Sequence, residues 1–225
     1  MTGDGPDLDW RDGRVPVSRR YGDPYFSFED GLAETRHVFL AGNGLPGRIG
    51  PGFAVAELGF GTGLNLLALL AALPEPPPGV GFTTFEAAPL DAETAARAHA
   101  SFPELAEVSA DLLAAWGALA GGATVRGVRV RVVVGDARET VPAWDGAADA
   151  WFLDGFAPAR NPELWDPALL ASVASHMRPG GTLATYSAAG AVRRTLAGAG
   201  LVVERRAGYG RKRHMTVAAK PGHPT

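Results

Sequence analysis

Residues 53–73 read FAVAELGFGTGLNLLALLAAL, and everything else in the chain is arranged around them. An apolar run from Phe53 to Leu58 carries an acid, Glu57, near its end; glycines then stand at positions 59, 61 and 63, and a Leu/Ala-rich run of helical character follows. The pattern is strand, tight turn, helix. Glycines suit such a turn because the backbone bends sharply and a ligand lies against main-chain N–H groups with no Cβ in the way. Asn65 and the opening N–H groups of the helix offer donors to an anionic end of that ligand. Nicotinamide, flavin and S-adenosylmethionine (AdoMet) sites all use a turn of this kind, and so does a plain β-to-α connection. The spacing here is G-x-G-x-G after E-L, not G-x-G-x-x-G, which tilts the reading from dinucleotide toward AdoMet.

Downstream, Pro74 to Pro78 breaks the chain and GFTTFE, Gly81 to Glu86, reads as a second buried strand ending in a carboxylate. Glu86 lies 23 positions after Gly63, where an acid at the end of the second strand of a doubly wound sheet accepts hydrogen bonds from a ribose diol. Such bonds are worth about 1.5–3 kcal/mol each; a solvated strand-end glutamate has the same local sequence. Two helical stretches, Ala88 to Ala100 and Pro103 to Leu119, precede a third strand, Val128 to Val134, and the step Gly135-Asp136-Ala137. That step places a carboxylate at the sheet edge, where an adenine amino group can donate to it.

The fourth strand, Asp149 to Asp154, runs into Gly155-Phe156-Ala157-Pro158-Ala159-Arg160-Asn161-Pro162. This loop joins a strand-end carboxylate to an aromatic ring and two prolines that stiffen its path. Open parallel sheets bind ligands at this edge, so the loop reads as a wall of a reaction site rather than as a rigid connector. A helix from Glu163 to Met177, the turn Arg178 to Gly181, a strand from Thr182 to Ser187 and a helix from Ala189 to Ala199 continue the alternation. Leu201 to Arg206 and His214 to Ala219 are then both strand-like, with only seven residues between them. No crossover helix fits there, so these two strands are antiparallel. The expected fold is α/β, a Rossmann-like class I AdoMet-dependent methyltransferase with a mostly parallel seven-stranded sheet ending in an antiparallel hairpin.

Upstream, residues 1–24 are rich in Gly, Pro and Asp and read as an arm or a short hairpin, Leu8 to Arg14 with Val15 to Arg19. Gly31 to Leu40 suits a helix at the domain edge, ended by Gly42, Asn43 and Gly44. The division expected is an arm and capping segment (1–50), the methyltransferase domain (51–220) and a tail (221–225).

A chain of 225 residues is long enough for one full hydrophobic core. Its formal net charge of -3 gives no global basic field, so a nucleic-acid partner must be held by a local patch. Arg193, Arg194, Arg205, Arg206, Arg211, Lys212 and Arg213 are the candidates, with Tyr209 able to stack on a base; a solvated charged face has the same composition. The sequence has no cysteine, which excludes disulfides and thiolate metal sites. No apolar run has the length of a membrane span and no signal peptide is legible, so a cytoplasmic location without membrane contact is expected.

These residues together resemble the methyl-transfer domain of the bifunctional MnmC family of tRNA-modifying enzymes. PVSRRYGDPYFSFEDGLAETRHVFLAGN, AELGFGTGLNLL, FTTFEAAPL, DAWFLDGFAPARNPELW, RPGGTLATYSAAGAVRRTLAGAGL and GYGRKRHM carry the resemblance over nearly the whole chain. DAWFLDGFAPARNPELW is specific to that family, whereas the glycine turn is generic. The resemblance implies that Glu57, Gly59, Gly61 and Gly63, with Asn65 nearby, hold the methionine end of AdoMet, Glu86 its ribose, and Asp136 with Ala137 its adenine. Asp154, Phe156, Pro158 and Asn161 would face the reacting amine, with Asp154 as the catalytic residue. Where the family often has a basic residue after Glu86, Ala87 stands here.

The substrate so implied is a wobble 5-aminomethyl-(2-thio)uridine in the anticodon region of tRNA. The family's FAD domain has no counterpart up to Thr225, so the expectation is AdoMet as co-substrate, no FAD, no metal, and an aminomethyl uridine supplied by an upstream pathway. Three other readings stay open: a methyltransferase acting on a small molecule or protein amine, a nicotinamide-dependent oxidoreductase, and a non-catalytic RNA-binding relative.

Overall fold

The computed structural model describes residues 7–222, so the first six residues of the expected arm and the last three of the expected tail lie outside the described residues. Strands β1 (Leu8–Arg11) and β2 (Val15–Ser18) form an antiparallel hairpin, and β3 (Asp23–Pro24) adds to β2. The turn uses Asp12 and Gly13, both at positive φ (51° and 68°). Helix α1 (Gly31–Thr35) starts at Asp30, whose carboxylate accepts the Ala33 amide at 2.8 Å.

The single helix expected from Gly31 to Leu40 is therefore only five residues of α-helix, followed by a wider π turn over Arg36–Leu40. The wider turn narrows the angular spread of consecutive side chains, and Val38, Phe39 and Leu40 are all buried. Gly44, at φ 67°, ends the segment where the glycines had placed the stop.

The main sheet is built from β4 (Ala54–Leu58), β5 (Gly81–Glu86), β6 (Ala123–Val125), β7 (Val128–Val134), β8 (Ala148–Leu153), β9 (Met177–Thr185), β10 (Val202–Ala207) and β11 (His214–Ala219). Its order is β10-β11-β9-β8-β4-β5-β7-β6. Strands β9, β8, β4, β5 and β7 run parallel, and the β10–β11 pair is antiparallel, as the short connection demanded.

Eight strands stand where seven were expected. The addition is β6, joined to β7 by Arg126 and Gly127 at φ 47° and 82°. Positive φ at both central residues is the two-residue hairpin turn that matches strand twist. The expected turn at Arg178 to Gly181 is a bulge inside one longer strand: Ala148 pairs with Met177 and Ala150 with Thr182.

Helices α2 (Leu64–Ala72) and α4 (Ala106–Ala115) pack with the π turn on one face of the sheet, around Phe82 and Phe152. On the other face, α5 (Ala137–Thr140), α6 (Pro167–Ser175) and α7 (Gly190–Gly198) surround Trp151 and Phe85. Helix α3 (Ala92–His99) follows β5. The helix expected from Glu163 is α6, preceded by a 3-10 turn over Pro162–Trp165, because Asp166 caps a new start with Pro167 at its first position. No helix among the described residues is long and apolar enough to cross a membrane.

Candidate active site

Strand β4 has β5 on one side and β8 on the other, so the strand order reverses beside it. The C-terminal ends of these three strands open into a cavity of about 930 Å³, whose opposite wall comes from β2, β3 and the segment leading into α1. That volume is at the upper end of small-molecule pockets, where a drug-sized ligand fills about 300–1,000 Å³.

At the floor, the turn after β4 requires its glycines. Gly59 sits at φ +78°, and a Cβ there would meet the Asp154 carbonyl oxygen and Gly155 Cα at 3.2 Å. Gly61, at φ +51°, has the Tyr25 ring 3.0 Å from where its Cβ would stand. The Gly61 amide donates to Glu86 Oε2 at 3.0 Å, and the Ala88 amide donates to Glu86 Oε1 at 2.8 Å. The Glu86 carboxylate is thus fixed from both ends by backbone while still lining the cavity, and each oxygen keeps a lone pair for a diol.

Behind this turn one amide joins two acids. Asn65 Nδ2 donates to Glu57 Oε1 and to Asp154 Oδ2, both at 2.8 Å. Glu57 is only 1% exposed, and burial pushes its carboxyl well above the usual range, with the charge of Asp154 adding to that and the Asn65 bond opposing it. Burial likewise raises Asp154 to about 6, against the bonds from the Gly155 amide and Asn65 and the nearby Lys212 charge. Glu57 Oε2 and Asn65 Oδ1 are buried acceptors without a formed hydrogen bond, and the unpartnered hydroxyl of Thr84, opposite Glu57 on β5, is the protein donor beside the Glu57 carboxylate other than Asn65. Such acceptors call for a donor, and an ammonium group is the donor that also stabilises both carboxylates.

The loop after Asp154 is pinned by three distant side chains. Asp23 Oδ2 accepts the Ala157 amide at 2.9 Å, the Trp165 indole donates to the Phe156 carbonyl at 2.9 Å, and the Tyr186 hydroxyl donates to the Gly155 carbonyl at 2.6 Å. Phe156 stands between Tyr21 (centroids 4.7 Å apart, tilted) and Tyr25 (5.1 Å, edge-on). Across the mouth, Lys212 lies 4.0 Å above the Tyr186 ring and pairs with Glu34 Oε1 at 2.7 Å.

Of the residues singled out from the sequence, Gly59, Gly61, Asn65, Glu86, Asp136, Ala137, Asp154, Phe156, Asn161, Tyr209, Arg211 and Lys212 line this cavity. Glu57 lies just behind it through Asn65, and Gly63 is the N-cap of α2. Pro158 and Arg213 are not among the lining residues. Asp136 caps α5, and its carboxylate is engaged by the Arg138 amide and guanidinium.

The basic stretch is partly neutralised: Arg206 pairs with Glu204, Arg211 with Glu29 and Lys212 with Glu34. Tyr21, Asp23, Tyr25, Glu34 and Tyr186 escaped the sequence reading. They lie in stretches that carried the resemblance only as a whole, with no role for the single residue, and the fold brings them together from β2–β3, α1 and the end of β9.

The donor set fits AdoMet: unpartnered buried acceptors for its ammonium, carboxylates for its positive charge and a fixed acid for its ribose. A parallel sheet with a terminal antiparallel hairpin, an acid and glycine turn after β4 and an acid at the end of β5 define the class I AdoMet-dependent methyltransferases. A family model described as "S-adenosyl-L-methionine-dependent methyltransferase" matches residues 103–221. The chain belongs to that family.

It is also 49% identical, over 96% of its length, to the tRNA 5-methylaminomethyl-2-thiouridine biosynthesis bifunctional protein MnmC of Caulobacter vibrioides, and 43% identical over 92% to the protein of that name from Aeromonas hydrophila. The chain spans 38% and 34% of those two proteins' lengths. The crystal structure of MNMC2 from Aquifex aeolicus superposes with a TM-score of 0.75 at 27% identity, covering 100% of this chain and 74% of that one.

Proposed function

We propose that the protein transfers a methyl group from AdoMet to the aminomethyl nitrogen of wobble 5-aminomethyl-(2-thio)uridine in tRNA, giving the 5-methylaminomethyl nucleoside. The observation that carries this reading is Asp154, half-buried at the end of β8, tied to Asn65 and held beside the aromatic group of Tyr21, Tyr25 and Phe156. The similarity to the two MnmC proteins, whose name gives the methylaminomethyl product, supports the choice of substrate.

When bound, AdoMet supplies a methyl group on a positively charged sulfur, and in-line displacement needs no protein nucleophile. The chain's contribution is therefore positioning and exclusion of water, effects that can lower a barrier by about 7–11 kcal/mol. Glu57 and Asn65 would take the ammonium, Gly59, Gly61 and Gly63 bring backbone close to the methionine end, and Glu86 would take the ribose diol. Asp136 and Ala137 would face the adenine, with Arg138 sharing the Asp136 carboxylate.

On the substrate side, the aromatic rings offer faces for an extruded base. Asp154 accepts an N–H of the amine, orienting its lone pair, and takes up the proton the nitrogen sheds. Asn161, Tyr209, Arg211 and Arg213 complete the proposed substrate face with Lys212 over the cavity mouth, Pro158 stiffens its loop, and the location proposed is the cytoplasm.

Labelled AdoMet with tRNA that lacks the methylaminomethyl group is the direct test. The expected product, by nucleoside mass spectrometry, is 5-methylaminomethyl-(2-thio)uridine. Label on protein or small-molecule amines, with tRNA left unmodified, would overturn the reading.

A further inference from the structure

Lys212 belongs to the basic stretch that could face RNA phosphates, but its side chain, 45% exposed, leans over the cavity mouth. It stands 4.0 Å above the Tyr186 ring, at cation–π distance, and its counter-ion is Glu34, whose side chain is only 11% exposed. The Tyr186 hydroxyl in turn holds the carbonyl of Gly155, the residue after Asp154. The loop that carries Lys212 is fixed from both ends: the Ala207 carbonyl lies 3.0 Å from His37 Nε2, and the Gly208 amide donates to the Arg213 carbonyl at 3.1 Å. To reach a phosphate the Lys212 ammonium would have to leave Glu34 and the Tyr186 ring.

We propose that Lys212, clamped by Glu34 over Tyr186, is an electrostatic positioning residue for the methyl-transfer step, a fixed cation at the reacting end of the cavity that disfavours the ammonium form of the incoming amine. The inference rests on the reading that the substrate is an amine. The acids around the cavity pull the opposite way: Glu34 on α1, Glu57 on β4, Glu86 on β5 and Asp23 on β3, while of the arginines that also line it Arg138 is paired with Asp136, Arg211 with Glu29, and Arg11 and Arg20 lie over the rings of Phe28 and Tyr21. A reacting end faced only by carboxylates, with the arginines engaged elsewhere, would hold the amine protonated and unreactive. One fixed cation on the side of Tyr186 opposes that.

The substrate ammonium gives its proton to an Asp154 carboxylate oxygen, and its freed lone pair forms the N–CH3 bond as the S–CH3 bond breaks with its electrons going to sulfur. The proton on Asp154 then leaves to solvent. Lys212 acts at the first stage by raising the energy of the ammonium, through its field on the nitrogen, while it keeps Asp154 ionised and able to accept a proton.

Two measurements on Lys212→Met, with Lys212→Arg as the charge-conserving control, decide the matter. The first follows the Asp154 carboxylate by carbon NMR in the protein without RNA. Its midpoint should rise by about half a unit in Lys212→Met, the effect expected of one half-exposed charge, and stay in place in Lys212→Arg.

The second is the pH profile of turnover at saturating AdoMet and tRNA. The acid limb should move up by about one unit in Lys212→Met, so that turnover at pH 7 falls roughly tenfold, with the KM for tRNA and the salt dependence of tRNA binding unchanged and Lys212→Arg near the wild type. A turnover profile that stays in place, or a salt slope shallower by about one with turnover unaffected, would make Lys212 a phosphate contact and overturn the inference. If tRNA is not methylated at all, the functional reading fails, and the Asp154 titration alone decides: an unmoved midpoint overturns the role of Lys212.

Discussion

Asn65 Nδ2 lies 2.8 Å from Asp154 Oδ2, which makes the first turn of α2 the support for a carboxylate at the end of a strand 89 residues later. The bond favours the ionised form of Asp154, opposing the burial that raises it to about 6. Replacing Asn65 by Leu removes one of the carboxylate's two donors and leaves the Gly155 amide as the other. The Asp154 midpoint should rise by about one unit, and the acid limb of turnover at saturating AdoMet should rise with it. An acid limb that stays in place would mean that Asn65 serves only the cofactor end of the site.

Asp154 itself should weaken the folded chain at neutral pH. Its carboxyl is raised from 3.8 to about 6 in the fold, so between those values the folded state binds more protons than the unfolded one. Stability therefore falls as pH rises through that window, and the cost is fully present above it. Two units correspond to something on the order of 2 kcal/mol, reduced by the partial exposure of the group. Asp154→Asn removes this cost while keeping the shape. Its melting temperature relative to wild type should be more favourable at pH 7.5 than at pH 4, whereas methyl transfer should fall by at least about a hundredfold. An equal difference at both pH values would show that Asp154 is not raised.

How much of this was legible beforehand depends on the range over which each feature is encoded. The strand, glycine turn and helix from Phe53 to Ala72 could be read because the whole device is local, and the antiparallel end of the sheet followed from a connection too short for a helix. Strand β6 was missed because three residues and an Arg-Gly turn leave no period to detect. The wall formed by Tyr21, Asp23 and Tyr25 was legible only as part of a resembling stretch: Asp23 meets the Ala157 amide across 134 residues, and no local pattern assigns it that partner. Lys212 was legible as a charge and not as a direction, since a sequence gives the sign of a side chain and not the side of a loop it takes.

The ion pairs sort the basic stretch into two groups. Arg206, Arg211 and Lys212 each have an acidic partner, whereas no ion pair is formed by Arg205 or Arg213 among the described residues, and both are exposed. If RNA is held by phosphate contacts, the unpaired arginines carry them at lower cost, because no existing pair must break. Arg205→Ala and Arg213→Ala should each reduce the slope of log affinity for tRNA against log salt by about one, and Arg206→Ala by less. A slope that is flat in the wild type would place the RNA surface elsewhere.

Ligand binding should move protons, because the two acids joined by Asn65 are both raised in the free protein. Glu57 is driven well above the ordinary carboxylate range by burial, and its Oε2 has no partner. An ammonium group placed against Glu57 and a sulfonium placed near Asp154 both favour the ionised acids, so AdoMet binding near pH 7 should release on the order of one proton to solvent. Calorimetry of AdoMet binding in phosphate and in Tris, whose ionisation enthalpies differ, should then give different apparent enthalpies. S-adenosylhomocysteine, with the ammonium but no sulfonium charge, should still release the part that belongs to Glu57. Glu57→Gln should remove nearly all of the buffer dependence, because Asp154, with its midpoint at about 6, is already about nine-tenths ionised near pH 7. Equal enthalpies in the two buffers for the wild-type chain would show that Glu57 is already ionised, or that the ligand's ammonium lies away from the acceptors the fold leaves open.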